Sequence, residues 1–151
     1  MTDLSPLLAQ LQNEEGLRLQ VYDDATGGYI RPGTRVIGNP TLGIGINVGP
    51  SGGITRDEAM YLLTNRVNIA AQEAATLSGW AALDDVRRLV LIDMVFNMGL
   101  PTMQTFHGTL AAIVAQDWAT AAAQMLDSAW AREVGARATQ LASIMKSGVW
   151  A

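Results

Sequence analysis

Glycine and proline crowd one stretch of this chain, between residues 27 and 53. Glycine and proline both interrupt helices, glycine through its conformational freedom and proline through its missing N–H. A continuous helix is therefore excluded there, and the alternation of apolar and polar residues from Leu17 to Val21 predicts short strands joined by turns. The sequence on both sides has apolar residues at helical spacing, so the pattern predicts an α+β fold with a small β meander.

Two helices frame the predicted meander. The first begins with Ser5 as N-cap and Pro6 as its first residue, and Gly16 is placed to end it. Glu15 is then the last helical residue. Thr55 and Glu58 form a capping box that opens a second helix, which extends to about Leu77 and is long enough to connect two lobes.

The remainder of the chain is helical in character. The predicted helices span residues 80–98, 109–115, 117–126 and 134–145. The nearly continuous apolar run at residues 89–96 predicts a central, buried helix. We therefore expect a single domain of 151 residues with three parts: a helix and β lobe at 1–54, a bridging helix at 55–78 and a helical lobe at 79–151.

Composition excludes several classes of function. With 49 % hydrophobic residues the chain is not disordered, and no run approaches the roughly 18 apolar residues of a membrane span. The net charge of −4 gives no general affinity for nucleic acid or for an anionic membrane. The first six residues lack the features of a signal peptide, so we expect synthesis in a cytoplasm.

Metal and thiol chemistry have few candidate residues here. The chain contains no cysteine and one histidine, His107, so a histidine metal site or a Ser-His-Asp triad would have to include that residue. His107 lies at a predicted helix start, where a surface or capping role is favoured.

Two acidic pairs flank the turn from helix to meander: residues 14–15 and 23–24. Glu15 would lie at the negative end of the helix dipole, which disfavours the charged form and should raise its pKa. Glu14 points about 100° away around the helix and is expected in solvent, although the reverse assignment stays open. Asp24 follows at the first turn of the meander. If the chain doubles back at Gly16, an acid and a carboxylate face each other across a cleft, as glycoside hydrolysis requires; surface solvation is the alternative.

Several motifs together resemble one known family. Residues 15–19, Tyr22, Asp24 and the sequence Thr-Leu-Gly-Ile-Gly at 41–45 resemble the catalytic motif of the phage-type lysozymes, glycoside hydrolase family 24. Residues 85–88 and 92–99 are similar to that family's central helix, and the segment from 130 to 150 also matches in spacing. The likeness covers nearly the whole chain and implies a two-lobed lysozyme-like fold.

The resemblance also implies roles for individual residues. Glu15 would be the general acid, Asp24 the carboxylate that activates water, and Thr41 the hydroxyl that positions the water, with inversion at the anomeric carbon. Arg137 matches a family arginine that contacts the catalytic glutamate, and its charge would oppose the rise in the glutamate pKa. The other positions that match the family's cleft are Phe96, Asn97, Phe106 and Gln124. For the two phenylalanines a core role is as well supported.

Three features depart from the family pattern. The segment between Asp24 and Thr41 is longer than usual, so it forms an insertion within the meander. Ile46 stands where the family often has histidine, so that any role of the histidine is absent or belongs to Asn47. The chain is acidic whereas many phage endolysins are basic, which places wall affinity in the cleft.

The function implied is that of an endolysin without metal or cofactor. Its partner would be the glycan strand of bacterial peptidoglycan, cleaved at the β-1,4 bond between N-acetylmuramic acid and N-acetylglucosamine by a monomer that needs neither nucleic acid nor membrane. It would accumulate in the host cytoplasm and reach the periplasmic wall after holin-dependent release. The alternatives are a lytic transglycosylase, which would need Glu15 alone, a catalytically silent wall-binding or virion protein, and membrane disruption by residues 140–150.

Overall fold

Helices dominate the structure, as expected for an α+β chain with a small sheet. The computed structural model describes residues 4–150, apart from the side chain of Glu15. Within these residues there are eight α-helices, three short β-strands and one turn of 3₁₀ helix, Trp80–Ala82. The chain divides into two compact units, one ending at Met60 and the other starting at Tyr61. The predicted fold class is confirmed.

Helix α1, Ser5–Glu15, ends where the sequence predicts. Gly16 follows it with φ +70°, and its N–H donates to the carbonyl of Gln12 at 3.1 Å. The start differs from the prediction, because Leu4 is the N-cap and Ser5 is already helical. The carbonyl of Leu4 accepts the N–H of Leu8 at 3.0 Å, so the first helical hydrogen bond forms one residue earlier than predicted.

The sheet of the first unit has three antiparallel strands in the order β1-β2-β3: Arg18–Asp23, Pro40–Gly43 and Ile46–Asn47. Tyr22 lies opposite Thr41, and Leu42 lies opposite Ile46. Gly43 and Gly45, with φ near +70°, bracket the tight turn between β2 and β3, a conformation that favours glycine. The predicted meander is confirmed, with Gly43 as the last residue of β2 and Gly45 in the turn that follows.

The insertion between β1 and β2 folds against β1. The N–H of Asp23 donates to Gly28 and the N–H of Ile30 donates to Val21, both at 2.9 Å, so that Tyr29 forms a bridge with Tyr22. Since Tyr22 also pairs with Thr41, the chain crosses from one side of β1 to the other between residues 30 and 39. We call residues 24–39 the crossover segment.

Helix α2, Arg56–Ala74, begins at the predicted capping box. The N–H of Thr55 donates to Oε2 of Glu58 at 2.7 Å, and the N–H of Glu58 donates to Oγ1 of Thr55 at 3.3 Å. This bond from the Thr55 backbone lowers the pKa of Glu58. The helix ends three residues before the predicted limit. The three-part division of the chain stays a prediction.

After α2, most of which lies in this unit, the second unit contains six further α-helices. They are α3 Asp85–Met98, α4 Leu100–Gln104, α5 His107–Val114, α6 Trp118–Leu126, α7 Ala129–Val134 and α8 Ala136–Ser147. The predicted helix 80–98 is interrupted, because the carboxylate of Asp84 accepts the N–H of Arg87 at 2.8 Å and caps α3. The predicted helix 134–145 begins two residues late, because Gly135 at φ +57° separates α8 from α7. Helices α4 and α7 were not predicted.

The core of the second unit is formed mainly by α3, α5, α6 and α8. Val90, Leu91 and Met94 on α3 are fully buried, which confirms the predicted central helix. Three further methionines, Met103, Met125 and Met145, are equally buried and fill the space around it. No helix in the described part of the chain is long and apolar enough to cross a membrane.

A buried arginine joins three of these helices. Arg87 on α3 donates from Nε to the carbonyl of Met145 at 2.7 Å and from Nη2 to that of Lys146 at 3.2 Å, at the end of α8. The guanidinium also pairs with Asp84 and lies 4.3 Å from the ring centre of Trp118 on α6. Its charge is thereby matched by acceptors that a helix C-terminus otherwise leaves unpaired.

Replacing Arg87 by methionine should therefore destabilise the second unit. The Arg87→Met variant leaves two carbonyls without their donor, and we expect it to lose about 2–4 kcal/mol of unfolding free energy. Arg88→Met is the matched control, because Arg88 forms an ion pair with the exposed Asp85 and lies 5.4 Å from the ring centre of Trp80, and exposed contacts of these kinds contribute about 1 kcal/mol or less each. Urea unfolding followed by circular dichroism measures both, and equal losses would contradict this account.

Candidate active site

Asp23 anchors the crossover segment to the sheet. Its side chain is 1 % exposed and accepts three backbone N–H groups: Oδ2 from Ile37 at 2.7 Å, and Oδ1 from Gly38 at 2.9 Å and Ala25 at 3.0 Å. These bonds, led by that from Ile37, hold the pKa of Asp23 below its ordinary value despite burial. Both ends of the crossover segment are therefore attached to one carboxylate.

Gly38 leaves the space that this arrangement needs. A Cβ at residue 38 would collide with Oδ1 of Asp24 and would lie 2.7 Å from both Oδ1 of Asp23 and the Cβ of Ala25. The restriction is steric, because the two carboxylates and the turn close around the backbone. Any side chain at residue 38 would displace the aspartates.

Asp24 is exposed and faces Asn39 at the other end of the crossover segment. Its Oδ1 accepts the backbone N–H of Asn39 at 2.6 Å, and its Oδ2 accepts the side-chain amide of Asn39 at 3.1 Å. These two bonds, the backbone one being the stronger influence, hold the pKa of Asp24 below its ordinary value. The group is therefore an ionised carboxylate at neutral pH, the form that accepts a proton.

Thr41 lies on β2, where its side chain is buried. Its Oγ1 donates to the backbone carbonyl of Asn39 at 3.1 Å. Across the sheet it is paired with Asn47, whose Oδ1 accepts the N–H of Gly49 at 2.8 Å. Asn39 thus contacts both Asp24 and Thr41. Sequence reasoning did not identify it, because no local pattern shows a contact across 15 residues.

Glu15 is the last residue of α1, but its side chain lies outside the described structure, so its predicted pairing with Asp24 and its raised pKa stay predictions. Glu14 is exposed and accepts the side-chain amide of Gln10 at 2.7 Å. This solvated position is the one expected for the non-catalytic member of the pair.

The second unit contains a groove of about 480 Å³. Two of the predicted substrate residues, Phe106 and Gln124, line it. Gln124 lies over Gly108, and a Cβ at residue 108 would collide with its Oε1. The groove therefore offers an aromatic ring and an amide, which suit a ligand with both apolar and hydrogen-bonding surfaces.

Trp130 orders one wall of this groove. Its Nε1 donates to Oδ1 of Asn97 at 2.7 Å, and its ring meets that of Phe106 edge to face, with centres 6.3 Å apart. Asn97 therefore acts on the groove through Trp130 in this structure. Sequence analysis did not assign Trp130 to the site. The local signal for its helix is Ser128, two residues earlier, which marks a helix start because its Oγ accepts the N–H of Ala131 at 3.0 Å.

Phe96 and Arg137 are not among the described residues that line the groove. Phe96 is 41 % exposed on α3, so the alternative core role is not supported. Arg137 binds Asp93, with Nε and Nη2 each 2.9 Å from Oδ1. Its predicted contact with Glu15 stays a prediction. His107 is the first residue of α5, as expected, and the described residues bring together no group of three potential metal ligands.

Comparison with known proteins gives consistent matches. The phage lysozyme family matches residues 12–145. The chain is 28 % identical over 163 residues to a probable T4-type lysozyme 1 of Dictyostelium discoideum and 26 % identical over 163 residues to a probable T4-type lysozyme 2, covering 96 % of both sequences each time. It is 29 % identical over 178 residues to the pre-baseplate central spike protein Gp5 of Enterobacteria phage T4, covering 97 % of this chain and 29 % of Gp5.

The α+β fold and these matches define the class of the protein, which is a glycoside hydrolase of the lysozyme type. Because the family match extends over most of its length, the chain belongs to the phage lysozyme family. It is accordingly a peptidoglycan hydrolase of the muramidase type.

The two adjacent aspartates should differ in their effect on stability. Asp23→Asn replaces an acceptor by an amide donor that faces backbone N–H groups, so the variant should unfold at clearly lower urea than Asp24→Asn. Because the pKa of Asp23 is lowered in the folded protein, Asp23 contributes fully to the free energy of unfolding when the pH is above the ordinary carboxyl pKa. This contribution is lost as the pH falls through the lowered pKa. The free energy of unfolding of Asp23→Asn should therefore change less at acid pH than that of the wild type. Equal unfolding curves for Asp23→Asn and Asp24→Asn would contradict the anchoring role of Asp23.

Proposed function

We propose that the protein cleaves the β-1,4 bond between N-acetylmuramic acid and N-acetylglucosamine with inversion, using Glu15 as acid, Asp24 as base and Thr41 to orient the water. The observation that carries this proposal is the contact of Asp24 with Asn39, which lowers the pKa of Asp24. A general base must be ionised at the working pH, and Asp24 meets that condition. The position of Glu15 at the end of α1 supports the complementary role.

The hydroxyl of Thr41 complements the carboxylate of Asp24. Since its proton is donated to the Asn39 carbonyl, Oγ1 keeps its lone pairs for a hydrogen of the attacking water. That water would give its other hydrogen to Asp24, leaving an oxygen lone pair directed at the anomeric carbon. Protonation of the leaving oxygen by Glu15 completes the displacement, and inversion requires a water between acid and base. The groove with Phe106, Gln124 and Trp130 supports the binding of the glycan strand.

Each proposed role predicts a loss of activity without loss of fold. Glu15→Gln and Asp24→Asn should each lower the release of reducing ends from purified peptidoglycan by about 10²–10⁴-fold, as expected for loss of an acid or base. Thr41→Val should also lose activity, whereas Thr41→Ser keeps the hydroxyl and should recover most of it. Thermal unfolding of each variant checks folding. Full activity of Asp24→Asn combined with inactivity of a folded Asp23→Asn would show that the wrong aspartate was assigned.

Product chemistry distinguishes this reaction from its alternatives. Inversion of a β bond should give the α anomer first, as seen by proton NMR during early turnover. Products with 1,6-anhydro ends would indicate a lytic transglycosylase. Binding of the wall without any new reducing or anhydro ends would indicate a catalytically silent protein.

We further propose that the protein serves host-cell lysis, acting from the host cytoplasm on periplasmic peptidoglycan after holin-dependent release. Membership of the phage lysozyme family supports this role. Expression in the cytoplasm of a Gram-negative cell should cause no loss of turbidity until chloroform permeabilises the inner membrane, and Glu15→Gln should remain without effect. Copurification with phage particles would instead favour a virion role like that named for Gp5, of which this chain matches 29 %.

A further inference from the structure

We propose that Asn39 is a positioning residue that binds the base Asp24 and the hydroxyl of Thr41 as one unit, an inference that rests on the proposed hydrolysis. Asn39 makes four hydrogen bonds to these two residues, through its N–H, its carbonyl and its side-chain amide. The comparison with known proteins assigns it no role. The insertion between Asp24 and Thr41 would thereby supply a part of the catalytic geometry.

The first pair of bonds fixes the orientation of the Asp24 carboxylate. One oxygen accepts the backbone N–H at 2.6 Å and the other accepts the side-chain amide at 3.1 Å. An exposed carboxylate held by a single bond can rotate about its Cβ–Cγ bond, whereas two donors from one residue define its plane. The remaining lone pairs then have a fixed direction for a water.

The second pair of bonds comes from the Asn39 carbonyl. It accepts the N–H of Asp24 at 3.1 Å and Oγ1 of Thr41 at 3.1 Å. The hydrogen bond from Thr41 to this carbonyl fixes the direction of the hydroxyl hydrogen. The lone pairs of Oγ1 then face a water, for which Oγ1 is an acceptor. Both acceptors of that water are therefore placed by the backbone and side chain of one residue.

The backbone around Asn39 is restrained before any ligand binds. Pro40 limits the preceding residue to extended conformations, and Pro40 pairs with Asp23 across the sheet. On the other side, the N–H of Gly38 is held by the Asp23 carboxylate at 2.9 Å. Asn39 is thus part of a preorganised segment, as positioning of a catalytic group requires.

The electrostatic effect of Asn39 opposes that of a neighbouring charge. Among the described residues, the charge that bears on Asp24 is Asp23, whose negative charge raises the pKa of Asp24, as does burial. The two Asn39 donors outweigh both effects, and the backbone of Ala25 adds to the lowering. Because the pKa is lowered, Asp24 stays ionised to lower pH, and loss of the Asn39 amide should bring its protonation to higher pH.

The test is the pH profile of kcat for two variants of the full chain on purified peptidoglycan. Asn39→Ala should lower kcat about tenfold with little change in KM and should move the acid limb to higher pH, because the amide donor is lost. Asn39→Asp should move the acid limb to still higher pH, because it places a second anion, in addition to Asp23, beside Asp24. Asn39 is exposed, so both variants should keep the unfolding midpoint of the wild type.

Thr34→Ala is the matched control. Thr34 lies in the same crossover segment, and its Oγ1 accepts only the N–H of Arg31, at 2.9 Å, among the side-chain bonds described. Its removal should change neither kcat nor the acid limb. If Asn39→Ala keeps the kcat and acid limb of the wild type, or if Thr34→Ala changes both as Asn39→Ala does, the positioning role is wrong.

A second measurement separates this inference from the proposed reaction. The carboxyl carbon of Asp24, titrated by NMR in the intact protein, should protonate at higher pH in Asn39→Ala than in the wild type. An unchanged titration overturns the inference even if the wild type hydrolyses peptidoglycan. A wild type that releases no reducing ends overturns the proposed function, and with it the catalytic meaning of a shifted titration.

Discussion

The buried carboxylate of Asp23 is the interaction on which the first unit depends. A charge removed from water is tolerated only when donors surround it, and here three backbone N–H groups do so. Two of them come from Ile37 and Gly38, so the return path of the crossover segment is fixed at its far end. Asn39 is the next residue, so the same bonds fix the position of its backbone. The hydrogen bonds that Asn39 forms with Asp24 and Thr41 therefore depend on Asp23.

Neighbouring aspartates in this protein have different tasks because Asp23 is buried at the end of β1, whereas Asp24 is exposed in the turn that follows. Asp23, the last residue of β1, points inward and organises the backbone, while Asp24 lies outside and stays accessible. Backbone N–H groups lower the pKa of both, but only Asp24 is open to a substrate. An acidic pair in a turn can thus combine structural and chemical roles in consecutive residues.

Local signals were sufficient for much of the fold. Gly16 ends α1 and the Thr55–Glu58 box begins α2 because each acts within one helical turn, and the glycines of the meander act at single residues. The breaks at Asp84 and Gly135 were missed, because capping side chains and a positive φ were hidden within otherwise helical sequence.

In the site, too, some residues were identified from local motifs and others depend on contacts between residues distant in the sequence. Asp24 and Thr41 were proposed from their motifs, and Phe106 and Gln124 line one groove of the second unit, while their role in binding substrate stays a prediction. The contribution of Asn39 depends on folding of the crossover segment, and that of Trp130 depends on a bond between α3 and α7, so neither could be inferred from neighbours in sequence.

The order of residues at the end of the crossover segment also bears on the lifetime of the enzyme. Asparagine side chains lose ammonia when the backbone nitrogen of the following residue attacks the side-chain carbonyl and closes a succinimide ring. After Asn39 that nitrogen belongs to Pro40, which carries no hydrogen and lies within the proline ring. This route of spontaneous deamidation is therefore closed to Asn39.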